Sequence, residues 1–168
     1  AAQMAAFAGR LGPLLDGAAR QIGVSARVLL AQAALETGWG RSVVGNNVFG
    51  VKAGSTWSGS QVEAATHEVE GGRSVSQTAS FRSYGSLEDA VRDFVSLVGG
   101  SSRYRAALGA GDNARNYAEG LIKGGYATDG DYPAKLAAVA ASPAIEAAVT
   151  GPIPLLPPNF AGNESRAS

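Results

Sequence analysis

The stretch from residue 28 to residue 40 constrains this chain most, because a run of aliphatic, helix-forming residues ends there in a single carboxylate. Ser25 is placed to cap a helix whose body covers residues 26–35. Glu36 follows, and Gly38-Trp39-Gly40 then breaks the helix. A carboxylate at the end of an apolar helix, beside a tryptophan, is placed to have its pKa raised by desolvation. That protonated state is what a general acid needs near neutral pH.

Glu36 also has an ordinary structural interpretation. Its carboxylate could cap a neighbouring helix or pair with a nearby cation such as Arg41. Perturbed carboxylates mark functional sites only statistically, so the local sequence leaves both interpretations open.

Composition excludes several classes of function. The chain has 168 residues, enough for one domain with a sizeable core, and its 14 basic residues balance 14 acidic ones, so we expect no nucleic-acid partner. It has no cysteine and a single histidine, His67, so we expect no disulfide scaffold, no metal site and no cofactor. No apolar run is long enough for a membrane span. Because the chain begins at Ala1, we expect a processed or excised piece.

The first half of the chain predicts two helical segments followed by a hairpin. Residues 1–23 are typical of a helix, with a break expected at Gly12-Pro13. Residues 41–60 lose periodicity and are typical of an ordered loop. Two alternating runs within residues 61–84 flank Gly71-Gly72 and predict a β-hairpin.

The second half of the chain is predicted to be helical, interrupted by a polar and aromatic loop at residues 126–132. The expected helices cover residues 86–98 after a Ser86 cap, residues 113–123 after an Asp112 cap, residues 133–141, and a segment after Pro143. The fold class is therefore α+β and mostly helical. We expect one domain over residues 1–150 and a Pro-rich flexible tail over residues 151–168.

Carboxylates that fit neither helix surfaces nor helix caps are candidates for chemistry. They are Glu36, Glu63, Glu68, Glu70, Asp129 and Asp131. A glutamate at a helix end that faces a carboxylate-bearing hairpin across a cleft is the layout expected for glycosidic bond cleavage. Glu68 and Glu70 share one face of the hairpin, although both could simply be solvated. Loop aromatic residues could stack on sugar rings or pack in the core, namely Trp39, Phe49, Trp57, Tyr126 and Tyr132.

Four motifs occur together and in order. They are Ala-Gln-Ala-Ala-Leu-Glu-Thr-Gly-Trp-Gly at 31–40, Asn-Asn-Val-Phe-Gly-Val-Lys at 46–52, Phe-Arg-Ser-Tyr at 81–84 and Tyr-Ala-Thr-Asp-x-Asp-Tyr at 126–132. Over about residues 13–141 the chain resembles the glucosaminidase domain of glycoside hydrolase family 73. This resemblance implies a lysozyme-like fold, in which an α-lobe and a small β-lobe (here about residues 55–84) flank a substrate cleft.

The resemblance also implies a substrate. Members of this family cut the β-1,4 bond between N-acetylglucosamine and N-acetylmuramic acid in peptidoglycan glycan strands, as endo-β-N-acetylglucosaminidases. Flagellar members do so in the periplasm, where they open the cell wall for the growing rod. Flagellar rod proteins are then expected partners through an N-terminal domain, and we expect this chain to begin after that domain.

Carried over by position, the resemblance makes Glu36 the general acid. Glu68 best matches a second family carboxylate, which would activate water from the opposite face of the sugar. Alternatively the 2-acetamido oxygen of the substrate attacks the anomeric carbon, and a loop tyrosine, Tyr132 rather than Tyr126, stabilises the charge. Substrate binding is expected from Trp39, Asn47, Phe49, Glu70, Tyr126 and Asp129.

Two other functions fit part of this pattern. A lytic transglycosylase shares a lysozyme-like fold and one catalytic glutamate, but it leaves an anhydro-muramic product. A module that only binds peptidoglycan or assists rod assembly would use Glu36 structurally. The chemical identity of the products separates these alternatives.

Overall fold

The computed structural model describes residues 2–150, so the tail predicted for residues 151–168 lies outside the described residues. In chain order the elements are α1 (Ala2–Ile22), α2 (Ala26–Thr37), β1 (Gln61–Glu70), β2 (Arg73–Arg82), α3 (Leu87–Gly100), a 3₁₀ turn (Ser102–Ala107), α4 (Ala114–Lys123), α5 (Tyr132–Ala140) and α6 (Pro143–Thr150). Helices with one two-stranded antiparallel sheet confirm the predicted α+β, mostly helical class.

Helix α2 lies at the centre of the helical part. The Ser25 hydroxyl accepts a hydrogen bond from the Val28 backbone N–H at 3.2 Å, which confirms the predicted cap. Side chains on every side of α2 are buried, because α1, α5 and α6 pack around it. Gly38 ends the helix in the left-handed region at φ 59°. The helix therefore includes Glu36 in its last turn.

The break predicted at Gly12-Pro13 is wrong. Helix α1 continues from Ala2 to Ile22 with Pro13 inside it. Pro13 is exposed, while the buried stripe of α1 continues on both sides of it as Phe7, Leu11, Leu15, Ala18 and Ile22. A proline inside a helix costs about 3 kcal/mol. Burial of the stripe against α2 and α3 offsets that cost, which local sequence signals do not register.

The hairpin forms where the alternating runs predict it. Strand β1 pairs with β2 from Gln61 opposite Arg82 to Glu70 opposite Arg73. The turn residues Gly71 and Gly72 adopt φ of 58° and 79°, a conformation that favours glycine. An isolated two-stranded hairpin is only marginally stable in water.

The loop before the hairpin anchors it to the helices. The backbone N–H of Arg82 donates to the Val51 carbonyl at 3.0 Å, and that of Ala53 donates to the Ser80 carbonyl at 2.9 Å. Asn47 stabilises the same loop and joins it to β2, because its side-chain amide donates to the carbonyl of Val51 and to that of Arg82. The ordered loop predicted over residues 41–60 therefore serves as the base of the hairpin.

The cap predicted at Asp112 is wrong by one residue. Asn113 caps α4, and its side chain accepts from the Asn116 N–H at 3.0 Å. Asp112 instead accepts from the Ser25 hydroxyl at 2.7 Å and pairs with Arg27 at 3.5 Å. Both residue types cap helices well, so the tertiary contact with α2 decides between them. The other predicted helices in the second half are confirmed to within one or two residues.

Replacing Pro13 with alanine should stabilise the protein. The new N–H can bond to the Gly9 carbonyl, so we expect the free energy of unfolding to rise by about 2 kcal/mol, after allowing for the greater freedom of the unfolded chain. Urea unfolding followed by circular dichroism measures this. The control is Gly12→Ala, which adds only helix propensity, about 1 kcal/mol, at a site with open space. A gain from Pro13→Ala no larger than that of the control would contradict the prediction.

Candidate active site

The Glu36 carboxyl faces a cleft between the helices and the hairpin. The cleft has a volume of about 330 Å³. Its walls come from Glu36, from residues of the loop 42–52, from β1 residues 64–68 and from residues of the loop 126–132. All four sequence motifs therefore contribute to one cavity, the motif at 81–84 through Phe81.

Gly50 brings the backbone of the second motif against the Glu36 carboxyl. Gly50 has φ 66°, and a Cβ atom at this position would lie 2.7 Å from Glu36 Oε1. Real Cβ atoms do not approach an oxygen that closely, so only glycine fits here without moving the carboxyl. The left-handed conformation of Gly50 is a second reason for glycine at this position.

The surroundings of Glu36 favour its protonated form. The pKa of Glu36 is raised from 4.5 to about 7, first by desolvation and then by the charge of Glu68, while the charge of Lys52 acts to lower it. The Glu36 side chain is exposed to solvent where it faces the cleft, and the surrounding protein desolvates its carboxyl group. Among the described residues no ion pair joins Glu36 to Arg41, so that structural alternative is not observed.

Glu68 is held in the opposite protonation state. It is mostly buried, with 14% of its side chain exposed, and it forms an ion pair with Lys52. Thr128 Oγ1 donates to its other carboxylate oxygen at 2.9 Å. Burial alone would raise the pKa of Glu68, but the hydrogen bonds from Lys52 and Thr128 and the Lys52 charge outweigh it, and the pKa lies below its usual value. Between the lowered pKa of Glu68 and the pKa of about 7 of Glu36, the cleft therefore holds one neutral and one ionised carboxyl group.

The two candidate tyrosines differ in what their hydroxyl groups do. Tyr126 donates its proton to the Phe49 carbonyl at 2.5 Å, so that group is already used. Tyr132 begins α5 and lines the cleft, and its buried hydroxyl has no hydrogen-bond partner among residues 2–150. Burial raises the pKa of both tyrosines well above the usual value, so both are neutral. Tyr132 alone of the pair retains a free hydroxyl.

Asp129 orders the loop that carries Tyr132. It accepts from the Asp131 N–H at 2.8 Å and pairs with Lys135 at 2.6 Å. These two interactions, led by the hydrogen bond from Lys135, hold the pKa of Asp129 below its usual value. Asp129 also lines the cleft, as expected of a substrate-binding residue, but its carboxylate already serves the loop.

Several residues predicted to bind substrate either do not line the cleft or already bond to other parts of the protein. Glu70 is exposed at the hairpin tip, opposite Arg73, and does not line the cleft. Phe49 is buried and stacks on Phe94 with ring centroids 4.0 Å apart. Trp39 packs edge-on against Phe7. Asn47 lines the cleft, but its side-chain amide also bonds to Val51 in the same loop and to the Arg82 carbonyl on β2.

Sequence reasoning missed Lys52 and Thr128 as partners of Glu68. Both belong to quoted motifs, Lys52 at the end of the second and Thr128 inside the fourth. A signal was available, because a half-buried carboxylate on a hairpin needs a cation or a donor nearby. The pairing itself depends on how the two loops meet the hairpin.

Comparison with known proteins agrees with this geometry. The family model described as glucosaminidase, mannosyl-glycoprotein endo-beta-N-acetylglucosaminidase, matches residues 12–143. This chain belongs to the glucosaminidase family. It is 44% identical over 141 residues to the peptidoglycan hydrolase FlgJ of Pseudomonas aeruginosa, a match that covers 80% of this chain and 35% of that protein.

Two further relatives extend the comparison of this glucosaminidase-family chain. It is 38% identical over 120 residues to the exo-glucosaminidase LytG of Bacillus subtilis, covering 67% of this chain and 42% of LytG. The chain thus spans less than half the length of FlgJ or LytG. The crystal structure of a mutant peptidoglycan hydrolase from Sphingomonas sp. A1 superposes with a TM-score of 0.81 at 41% identity, covering 86% of this chain and 97% of that one.

Neither a metal cluster nor a membrane span emerges from the described part of this glucosaminidase-family chain. Within residues 2–150, no three histidine, cysteine or acidic residues are grouped so that they could hold a metal ion. In the same range, no helix is both long enough and apolar enough to cross a bilayer.

The pKa of Glu36 can be measured without any substrate. We expect a ¹³C NMR titration of its carboxyl carbon to have a midpoint near pH 7. Glu68→Gln should lower the midpoint, because it removes a negative charge that disfavours ionisation, and Lys52→Met should raise it. The control is Glu119→Gln, an exposed substitution on α4. A wild-type midpoint near 4.5 would contradict the desolvated environment described here.

Proposed function

We propose that this glucosaminidase-family domain is a peptidoglycan hydrolase, an endo-β-N-acetylglucosaminidase that cleaves the β-1,4 bond between N-acetylglucosamine and N-acetylmuramic acid. The observation that carries the proposal is the desolvated Glu36 carboxyl, with a pKa of about 7, in a cleft that also holds the ionised Glu68. Two carboxyl groups in opposite protonation states are what acid-catalysed glycoside hydrolysis uses.

In the proposed mechanism, Glu36 is the general acid. Its proton passes to the glycosidic oxygen as the bond from that oxygen to the anomeric carbon breaks, so the leaving sugar departs as a neutral alcohol. Such proton transfer contributes roughly 10²–10⁴-fold to the rate. Because the protonated form is required, we expect turnover to fall as the pH rises through about 7.

Two routes complete the reaction. In one, Glu68 takes a proton from water, the water oxygen bonds to the anomeric carbon, and the configuration inverts; the low pKa of Glu68 supports this route. In the other, the substrate's 2-acetamido oxygen bonds to that carbon first and water opens the ring later, with the Tyr132 hydroxyl stabilising the charge. The unpartnered hydroxyl of Tyr132 supports the second route.

The proposed setting is the cell wall outside the cytoplasm. The names of the relatives, peptidoglycan hydrolase FlgJ and exo-glucosaminidase LytG, support a wall glycan as substrate. We further propose the periplasm and flagellar rod penetration, with rod proteins as partners through a separate domain. This finer part rests on the resemblance to flagellar members and on 44% identity to FlgJ.

The decisive experiment is mass spectrometry of muropeptides released from purified peptidoglycan. We expect the wild-type chain to release products that end in reducing N-acetylglucosamine, and Glu36→Gln, shown to be folded by circular dichroism, to release none. Glu119→Gln, which removes an exposed carboxylate on α4, should match the wild type. Anhydro-muramic ends would assign a lytic transglycosylase, and no product from the folded wild type would favour a binding module. Release of single terminal sugars would indicate exo rather than endo cleavage.

The close approach of Gly50 gives a second test. Gly50→Ala should lower kcat at least about tenfold, because its Cβ must displace Glu36 Oε1 from the position it holds in the cleft. The matched control is Gly54→Ala, since Gly54 has a similar φ of 69° but nothing within 4 Å of the added Cβ. Both variants place an alanine at a positive φ and share that backbone strain, but only the alanine at position 50 contacts Glu36. Equal activity in the two variants would refute this reasoning.

A further inference from the structure

Gln32 is a fully buried polar side chain one helical turn before Glu36. It is 0% exposed, on the same helix and four residues away, so the two side chains lie on one face of α2. Helix α5 packs against both α2 and α4, and Tyr132 is its first residue. The elements that carry Gln32, Tyr117 and Tyr132 therefore meet behind the acid.

Tyr117 determines which way the Gln32 amide points. The Tyr117 hydroxyl donates to Gln32 Oε1 at 2.6 Å, and both side chains are fully buried. With the amide oxygen facing Tyr117, the amide nitrogen Nε2 is turned away from it. The amide nitrogen then presents two N–H groups elsewhere in the core.

Two buried polar atoms lack a hydrogen-bond partner among residues 2–150, and they are chemically complementary. They are Gln32 Nε2, which can only donate, and the Tyr132 hydroxyl oxygen, which can accept. Burial, and then the charge of Glu36, raise the pKa of Tyr132. Gln32 lowers this pKa, which is the effect expected of a group that donates to the hydroxyl oxygen. Leaving both groups unsatisfied is costly, so each is the natural partner of the other.

We propose that Gln32 is a positioning residue for Tyr132. Its amide, oriented by Tyr117, donates from Nε2 to the Tyr132 hydroxyl oxygen and leaves the Tyr132 proton to point toward Glu36 and the cleft. Three buried groups thus form a directed chain, from the Tyr117 hydroxyl through the Gln32 amide to the Tyr132 hydroxyl. This inference rests on the proposed function, because the proton it directs matters only if Tyr132 assists glycan cleavage.

A kinetic double-mutant cycle tests the chain. The variants are Gln32→Met, Tyr132→Phe and the double variant, with turnover measured on soluble glycan fragments of peptidoglycan. We expect Gln32→Met to lower kcat about tenfold with little change in KM, the loss expected for one oriented hydrogen bond. In the Tyr132→Phe background the same change should have almost no further effect, because Gln32 acts through that hydroxyl.

Tyr117→Phe is a milder variant in case Gln32→Met does not fold. It removes only the donor that orients the amide, so we expect a smaller loss of kcat that also disappears in the Tyr132→Phe background. Unfolding of each variant, followed by circular dichroism, identifies any loss of activity that is due to lower stability alone. A Gln32→Met enzyme as active as the wild type, or an equal loss in both backgrounds, would overturn the inference while the proposed function stands. An inactive wild type would instead overturn the proposed function.

A second measurement needs no activity. In ¹⁵N NMR spectra of the whole chain, the side-chain amide protons of Gln32 should exchange slowly, and one should resonate downfield as a hydrogen-bonded proton does. Tyr132→Phe should shift that resonance upfield and leave the backbone spectrum of α2 largely unchanged. An unchanged Gln32 amide in Tyr132→Phe would show that the two groups are not bonded and would overturn the inference on structural grounds.

Discussion

Helix α2 is buried on all sides, and this burial places its C-terminal turn beside the cleft. A helix of small and aliphatic residues can be surrounded by α1, α5 and α6, which fixes its axis and leaves its C-terminal turn at the edge of the core. Glu36 lies in that turn, where its side chain faces the cleft and the surrounding protein desolvates its carboxyl group. The same packing that stabilises the fold therefore raises the pKa of this cleft-facing carboxyl group.

Lys52 affects the pKa values of the two carboxyl groups to different extents. It forms an ion pair with Glu68 and keeps that group ionised, while its more distant charge only partly offsets the desolvation of Glu36. Two glutamates in one cavity would otherwise raise each other's pKa. Because Lys52 belongs to the loop that also anchors the hairpin, the hairpin's position and the protonation states of the cleft depend on the same segment.

Much of the architecture could be predicted because its signals are local. The Ser25 cap, the Gly71-Gly72 turn and the alternation of β1 each depend on residues a few positions apart. The errors arose where distant contacts outweighed a correct local rule. Pro13 should break a helix, but burial of the α1 stripe against two other helices keeps the segment helical. Asp112 is a favourable capping residue, but it bonds to Ser25 and Arg27 instead, and Asn113 caps the helix.

The α+β class, the position of the candidate acid at a helix end and the four motifs around it can be predicted from the amino-acid sequence, because helix and turn signals are short-range. Which polar groups are free depends on the tertiary structure. It assigned the Tyr126 hydroxyl to the Phe49 carbonyl, used the Asn47 amide inside a loop and left the Tyr132 hydroxyl unpartnered among the described residues. It also brought Lys52 into contact with Glu68, which lies 16 positions further along the sequence. Hydrogen bonds and ion pairs depend on distances of a few ångströms between segments, and a linear pattern does not specify those distances.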